Sequence, residues 1–376
     1  MFGFGKQKKK PSSQEEISFK ELYEKYREQI ERLIEIIVAI IVGFVIAGII
    51  MALGGYDPIK AYSAMFETSF SLEDPYYLAM TLSFATPLML TALTFAVGVR
   101  AGLFNIGAEG QVYMGALGAI IVASMTLPGP LYFPLAFLLG MFLGSLWGLI
   151  AGVLKSFRKV NEVVTTIMLN WIAYWIVEYA RVYVYADPER PEKTISMPEA
   201  ARLPILVPGS ELSLAFIIAL GVVILVYYLL WHTVLGYEIR ATGMNPNAAR
   251  YGGIDPRLAM LSAFMIGGVT AGIAGVLEIC GRPPTYAITT GLSNLMGLGF
   301  DGIAVSLIGA NHPLAIIPAA IFIGALTSGS RGMQIVAGVP LEMVKAVQGI
   351  IIMALAVPGL VRLLKTKFRR GISVGV

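Results

Sequence analysis

The sequence contains few charged residues: they make up 14% of its 376 residues, against about a quarter in soluble domains. Apolar residues account for 56% and recur in long runs. Such runs suit the hydrocarbon core of a bilayer, which is about 30 Å thick and is crossed by about 20 residues of α-helix. A soluble globular protein is therefore excluded, and the composition indicates an all-α integral membrane protein.

Cysteine and histidine are also scarce. Cys280 is the only cysteine, so an internal disulfide is excluded and packing is its expected role. The two histidines, His232 and His312, have no Cys, Asp or Glu at the spacing of a metal site. We therefore predict no metal centre.

Motifs of nucleotide and hydrolytic chemistry are missing as well. The sequence has no Gly-x-x-x-x-Gly-Lys-Ser/Thr phosphate loop, no nucleophile elbow centred on serine and no His-Glu-x-x-His motif. We predict that the chain is not an enzyme and binds no cofactor. If it drives transport, the energy must come from another component.

Long apolar windows predict about ten transmembrane helices. The eighth and ninth are the weakest of the ten. The windows lie near residues 33–53, 78–99, 103–127, 131–154, 163–186, 212–231, 258–280, 291–310, 313–330 and 340–362.

Basic residues between the spans indicate the orientation. With a cytoplasmic N-terminus, the basic segments after the second, fourth and sixth spans and the basic C-terminal tail all fall on the inner side, whereas segments 54–77 and 187–211, which would face outward, have few Lys and Arg residues. This predicts a multi-pass protein of the plasma membrane with both termini in the cytoplasm. The basic residues on the predicted inner side are Arg100, Lys155, Arg158, Lys159, Arg240, Arg250 and Arg257.

Polar segments, 1–32 and 365–376, flank the predicted membrane domain at 33–364. Because about thirty polar residues precede the first apolar run, no cleavable signal peptide is predicted. Both segments are basic, which cytoplasmic retention explains without nucleic-acid binding. Apolar positions three and four apart within 12–32 predict either an amphipathic helix on the inner surface or a solvated helical lead-in to the first span.

The glycine-rich stretch 102–118 carries three polar side chains, Asn105, Glu109 and Gln111. A continuous helix facing lipid would not tolerate this combination, whereas a broken helix that lines a protein-enclosed cavity would. We expect a discontinuous helix here, with these residues on a solute path. The alternative is that the glycines serve close helix packing and Glu109 caps or bonds a neighbour.

A second glycine-rich stretch, 297–313, places Asp301 before an apolar run too short to cross comfortably. Asp301 is a candidate for the path or for a helix cap, since aspartate accepts hydrogen bonds from the N–H groups that open a helix. One such stretch in each half of the chain predicts two related halves with broken or re-entrant helices, as in many transporters.

The predicted inner loop 236–257 contains a complete set of helix signals. Asn245 can cap a helix, Pro246 suits its first position, and Gly252 or Gly253 can end it. The pattern predicts a short surface helix that carries Arg250. Its role is either to dock a cytoplasmic protein or to serve as an ordinary basic connector.

Three strings resemble the permease subunits of bacterial and archaeal ABC importers for nucleosides or simple sugars. They are GLFNIGAEGQ at 102–111, GYEIRATGMNPNAARYGGI at 236–254 and GFDGIAVSLIG at 299–309. The resemblance extends from about residue 33 to 364. It implies a permease that works with a second permease, identical or paralogous, a cytoplasmic ATPase that uses ATP, and an extracellular substrate-binding lipoprotein.

The resemblance also implies roles for particular residues. The loop 236–257 would dock on the ATPase, which makes Asn245, Arg250 and Tyr251 coupling residues. Asn105, Glu109, Gln111 and Asp301 would serve the path or its broken-helix geometry, and Phe104 and Phe300 are candidates for contacts to a nucleobase. The substrate it implies is a nucleoside or a related sugar.

Two other functions stay open on the residues alone. One is a secondary transporter or channel for a small polar solute, independent of ATP. The other is a membrane-embedded enzyme in which Glu109 and Asp301 act as paired carboxylates.

Overall fold

The computed structural model describes residues 19–71 and 73–356, and this part of the chain contains thirteen α-helices joined by turns and by two longer segments, 185–214 and 282–297. The helices are α1 (Phe19–Leu53), α2 (Pro58–Phe70), α3 (Pro75–Arg100), α4 (Ala108–Ala123), α5 (Tyr132–Arg158), α6 (Glu162–Tyr179), α7 (Ala215–His232), α8 (Val234–Met244), α9 (Pro246–Tyr251), α10 (Pro256–Gly281), α11 (Leu298–Ile308), α12 (Pro313–Ala337) and α13 (Leu341–Ala356).

Each of the ten predicted spans corresponds to one helix. Seven of these helices are long and apolar enough to cross a membrane, namely α1, α3, α5, α6, α7, α10 and α12. In contrast, α4 has 16 residues and α11 has 11, which gives lengths of about 24 and about 16 Å. Both are shorter than a hydrocarbon core of about 30 Å, so the prediction of an all-α membrane protein with broken helices is confirmed.

Helix α3 forms the centre of the bundle. Nearly every residue from Ala79 to Gly98 is buried, as expected for a helix that is apolar on all sides. Its hydroxyl groups find partners inside the protein: the Thr94 hydroxyl lies 2.9 Å from the carbonyl oxygen of Gly267 on α10. The packing of the other helices is therefore organised around α3.

Close approach of α4, α5 and α10 depends on small residues. A Cβ atom on Gly144 of α5 would collide with the backbone of Gly268 and Gly272 on α10, and one on Gly115 of α4 would collide with Gly272. In a membrane, where lipid tails are as apolar as leucine, such backbone contact is a main source of helix association. Part of the glycine content thus serves packing, as the alternative interpretation of 102–118 proposed.

The bundle has two chemically different ends. The basic end is formed by the C-terminus of α3, the C-terminus of α5, α8, α9 and the turn 309–312. The loop end is formed by α2 and the segments 185–214 and 282–297, which are joined by backbone hydrogen bonds such as Thr194 N–H to Ile288 O at 2.9 Å and Met197 N–H to Tyr286 O at 2.8 Å.

The structure adds a helix in segment 54–77 and extends the first helix toward the N-terminus. Helix α2 lies in segment 54–77, for which no helix was predicted, although Asp57 caps it by accepting from Ile59 N–H at 2.9 Å and Pro58 opens it. Helix α1 runs without a break from Phe19 to Leu53. The amphipathic surface helix at 12–32 stays a prediction, and residues 1–18 and the tail 365–376 lie outside the described residues.

Candidate functional site

The two short helices meet at one carboxylate. Glu109 lies in the first turn of α4, is 3% exposed and accepts hydrogen bonds from the backbone N–H groups of Gly297 at 2.5 Å and Gly299 at 2.6 Å. The Tyr113 hydroxyl donates a third at 2.6 Å. The first N–H groups of a helix lack partners within the helix, so Glu109 of α4 caps α11.

Glycine is required on the α11 side of this junction for two reasons. Gly297 has a φ of +92°, a left-handed conformation that other L-residues adopt only at a cost of about 1–2 kcal/mol. Gly299 packs so closely that a Cβ atom there would overlap the backbone nitrogen of Glu109 and lie 2.6 Å from its Cα. The absence of a side chain at Gly299 thus allows α11 to approach α4 closely enough for Glu109 to cap it.

Helix α6 holds the start of α4 from the other side. The Asn170 side chain accepts from Gly110 N–H at 2.9 Å and donates to the Ile106 carbonyl at 3.0 Å. Neither Asn170 nor Tyr113 was predicted from the sequence. Asn170 could have been found as the one amide in the apolar run 163–179, and Tyr113 as a residue four positions after Glu109 on the same helix face.

The predicted path residues Asn105 and Gln111 lie in the interior. Each is 1% exposed, and both lie against Gly107 at the break that precedes α4. Asn105 accepts from Gly107 N–H at 2.9 Å, while its Nδ2 and the Oε1 of Gln111 have no hydrogen-bond partner among the described residues. Asn105 thus stabilises the chain break through this bond, Gln111 lies beside it, and neither side chain is on an accessible surface.

The other predicted path residues are accessible. Phe104 is 45% exposed and contacts Phe95 edge to face, and Phe300 is 52% exposed. Asp301 is exposed on α11 and makes no hydrogen bond or ion pair within the described part of the chain. The alternative in which Asp301 caps a helix is not realised, because it is the fourth residue of α11 and Glu109 supplies the cap.

A cavity of about 180 Å³ lies beside the junction. It brings Glu109 and Phe300 together with aromatic residues of α6, and the carboxylate of Glu109 already accepts three hydrogen bonds. A carboxylate saturated in this way suits a structural joint better than acid–base chemistry. The remaining lining residues are Tyr113, Ile167, Asn170, Trp171, Tyr174, Met296 and Gly297.

The predicted short helix in the loop 236–257 is confirmed as α9. Asn245 caps it by accepting from Asn247 N–H at 3.0 Å and Ala248 N–H at 3.1 Å. Arg250 is exposed, and Tyr251 is 94% exposed at the last position of the helix. A tyrosine so poorly covered by its own chain is available to a partner.

An aromatic and cationic cluster at the basic end links α8 to the turn before α12. The Trp231 ring lies 5.3 Å from the guanidinium of Arg100, 5.5 Å from that of Arg240 and 4.7 Å from the ring of His312. Arg100 also donates to the carbonyl of Asn311 at 3.0 Å. Burial lowers the pKa of His312 and the charge of Arg100 lowers it further, so the imidazole is neutral at neutral pH.

These features define a class of protein: a membrane bundle with two half-helices joined at their N-termini and an exposed helix at its basic end. The chain matches the family described as "Branched-chain amino acid transport system / permease component" over residues 77–356, which are 280 of its 376 residues. It belongs to this family of membrane permeases.

Known relatives agree with this assignment. The chain is 34% identical over 329 residues to the guanosine ABC transporter permease protein NupP of Bacillus subtilis, covering 86% of this chain and 92% of the relative. It is 33% identical over 333 residues to the nucleoside ABC transporter permease protein NupB of Lactococcus lactis, covering 86% and 90%. For the glucose permease TsgB13 of Haloferax volcanii the identity is 29% over 322 residues, covering 82% and 83%.

Among solved structures, PsaBC from Streptococcus pneumoniae has a TM-score of 0.42 and 10% identity, covering 80% of this chain and 97% of that one; a likeness of this size adds nothing to the assignment. The family and the sequence relatives identify the chain as a permease subunit of an ABC importer. The resemblance described above is thereby confirmed. Permeases of this kind work with an ATPase and a substrate-binding protein.

Proposed function

We propose that this permease forms half of the translocation path for a nucleoside and that α9 couples it to a separate ATPase. The observation that carries the proposal is the geometry of α9: a capped helix at the basic end that presents Arg250 and a 94% exposed Tyr251. Nucleosides are favoured over sugars because two of the relatives above are nucleoside permeases and share more identity with this chain than the glucose permease does.

The basic end faces the cytoplasm in this proposal, together with both termini, and the membrane is the plasma membrane. Lys and Arg next to spans are retained on the cytoplasmic side, and Arg100, Arg158, Arg240 and Arg257 all lie at that end. The loop end then faces outward and receives solute from an extracellular substrate-binding lipoprotein.

The second permease is a paralogue in this proposal. Bacillus subtilis has two relatives of this chain, NupP at 34% and NupQ at 28% identity, both described as guanosine ABC transporter permease proteins. Lactococcus lactis likewise has NupB and NupC, at 33% and 25%. Two distinct nucleoside permeases in one organism support a heterodimer. ATP is bound by the ATPase, and this chain holds no cofactor.

Helix α11 contributes the wall of the path. Asp301 is an exposed carboxylate without a partner among the described residues, and Phe300 beside it is half exposed. Charged groups within a membrane bundle face a water-filled cavity or a protein partner, because lipid contact is costly. Glu109 is a positioning residue that fixes α11 against α4.

The described contacts give a route from the ATPase to the path. Movement of α9 passes along α8 to Arg240 and the Trp231 ring, and from there to Arg100 and the turn 309–312. That turn ends α11, whose other end is tied to Glu109. Rocking of α9 would therefore act on the C-terminal end of the half-helix, while the Glu109 cap holds its N-terminal end against α4.

The coupling role is tested with Arg250→Glu and Tyr251→Ala. Both should reduce co-purification of the ATPase and solute-stimulated ATP hydrolysis, since they change the exposed end of α9 without touching its cap. The matched control is Arg158→Glu, an exposed arginine at the same end but on α5, which should behave as wild type. If Arg250→Glu binds and stimulates the ATPase as wild type does, α9 is not the docking helix.

The energy source and the solute have a separate test. Uptake of radiolabelled guanosine, uridine and glucose is measured in cells with the neighbouring ATPase intact or inactivated. Nucleoside uptake that requires the ATPase is the expected result. Uptake that persists without ATPase activity would instead assign the chain to a secondary transporter or channel.

A further inference from the structure

A second cavity lies at the loop end, on the side of α3 that carries α2 and α12. Its volume is about 360 Å³. Small-molecule sites usually have volumes of about 300–1,000 Å³ and combine apolar walls with a few polar groups. This cavity fits that description. The cavity beside Glu109 is smaller, at about 180 Å³, and the Glu109 carboxylate already accepts three hydrogen bonds from the protein.

Three aromatic residues from the first half of α3 line the cavity: Tyr76, Tyr77 and Phe84. The rings of Tyr76 and Tyr77 contact each other edge to face with centroids 5.5 Å apart. Phe84 is fixed by Arg282, whose guanidinium lies 4.9 Å from the ring centroid and pairs with Glu278 at 2.9 Å. The aromatic wall is therefore preformed.

Arg331 of α12 supplies a cation to the same cavity. It is exposed and makes no hydrogen bond or ion pair with any residue that the structure describes. An arginine in the apolar helix α12 is costly unless it faces water or pairs with a polar partner. Ser328, one turn earlier, places a hydroxyl group beside it.

The wall formed by α2 is held rigidly against α12. Cβ atoms on Gly329 and Gly332 would collide with Met65 and Thr68 of α2, respectively, so glycine permits the two helices to touch along their backbones. The Ser69 hydroxyl adds a hydrogen bond to the Ala325 carbonyl at 2.7 Å. The cavity thus needs little reorganisation to bind a solute, which lowers the cost of binding.

We propose that this cavity is an outer subsite for a purine nucleoside, in which the base stacks on Tyr77 and Phe84 while Arg331 donates hydrogen bonds to its acceptor edge. Guanidinium groups pair bidentately with O6 and N7 of guanine, and every base has a π face that stacks on aromatic side chains. A hexose has no such face. The inference rests on the proposed function, which makes the loop end extracellular and the solute a nucleoside.

Photolabelling tests the subsite without relying on transport. The purified importer in phosphatidylcholine nanodiscs is irradiated with 8-azidoguanosine, and labelled peptides are mapped. We expect label within residues 76–84 or 328–336, displaced by guanosine and retained in excess glucose. Arg331→Gln and Phe84→Leu should each raise the guanosine concentration for half-displacement by about fivefold or more, while Arg190→Gln, an exposed arginine elsewhere at the loop end, should not change it.

Three outcomes would overturn the subsite: label mapped elsewhere, displacement unchanged in both cavity variants, or label lost when phosphatidylglycerol is added to the nanodisc. The last result would assign Arg331 to a lipid phosphate. Guanosine uptake by the same importer separates the two proposals. Uptake without label in the cavity removes the subsite and keeps the proposed function, whereas label without uptake removes the proposed function and keeps the subsite.

Discussion

Replacing Gly299 by alanine should separate the two half-helices. The added Cβ atom would overlap the backbone nitrogen of Glu109 and lie 2.6 Å from its Cα. These atoms belong to the backbone of a buried helix and cannot rotate away. To reach ordinary van der Waals contact, α11 must move away from α4 by about 1 Å.

That movement removes the cap. The hydrogen bonds from Gly297 and Gly299 to Glu109 are 2.5 and 2.6 Å long, so a shift of about 1 Å stretches both to the limit of a hydrogen bond. Hydrogen bonds to a charged group contribute about 1.5–3 kcal/mol each, which gives a loss of about 3–6 kcal/mol. The better helix propensity of alanine offsets about 1 kcal/mol of this, and the net destabilisation is about 2–5 kcal/mol.

Thermal unfolding in detergent measures the effect, and the protein provides its own reporter. Cys280 is buried, so a thiol-reactive fluorophore labels it only on unfolding. Two other glycine variants serve as references for the result. Gly221→Ala on α7 has open space around the new Cβ and should be neutral or slightly stabilising, while Gly297→Ala has space but a φ of +92° and should cost about 1–2 kcal/mol.

The expected order of melting temperatures is Gly221→Ala highest, Gly297→Ala lower and Gly299→Ala lowest. If Gly299→Ala unfolds at the same temperature as Gly221→Ala, the close contact between α4 and α11 does not hold the half-helices together. The account of Glu109 as the joint between them would then be wrong.

Three further substitutions test the site with the same fluorophore or with uptake. Glu109→Gln should destabilise the protein by about 1.5–3 kcal/mol, because its amide group can accept only one of the two N–H groups, and unchanged melting would contradict the cap. Asn170→Ala should cost about 2–4 kcal/mol, since it leaves the N–H of Gly110 and the carbonyl of Ile106 unpaired inside the protein; an unaltered melting curve would show that water replaces the amide. Asp301→Asn should leave melting unchanged and slow nucleoside uptake, and normal uptake would remove Asp301 from the path.

Local patterns in the sequence predicted the local structure well. Apolar windows gave the positions of ten helices, and the capping signals from Asn245 to Gly253 gave α9 at its observed position. Asp57 followed by Pro58 is the same kind of signal and opens α2, but the segment is short and lies between two spans, and no helix was predicted there.

Long-range geometry could not be predicted in this way. Gln111 and Asp301 both look like path residues because each is polar in a glycine-rich apolar stretch, yet one is 1% exposed and the other lies on the surface. The difference depends on which helices pack against α4 and α11. Likewise, no local pattern pairs Glu109 with two backbone groups 188 and 190 residues further along the chain.

That separation along the chain also has a consequence for biosynthesis. At about 5–20 residues per second, the ribosome adds the 188 residues between Glu109 and Gly297 in about ten to forty seconds. During this interval Glu109 has already been made and its partners have not, while α11 will be too short to insert stably by itself. The newly made first half therefore contains the Glu109 carboxylate before the N–H groups that bind it exist. Assembly of the second half then depends on a residue that was synthesised well before it.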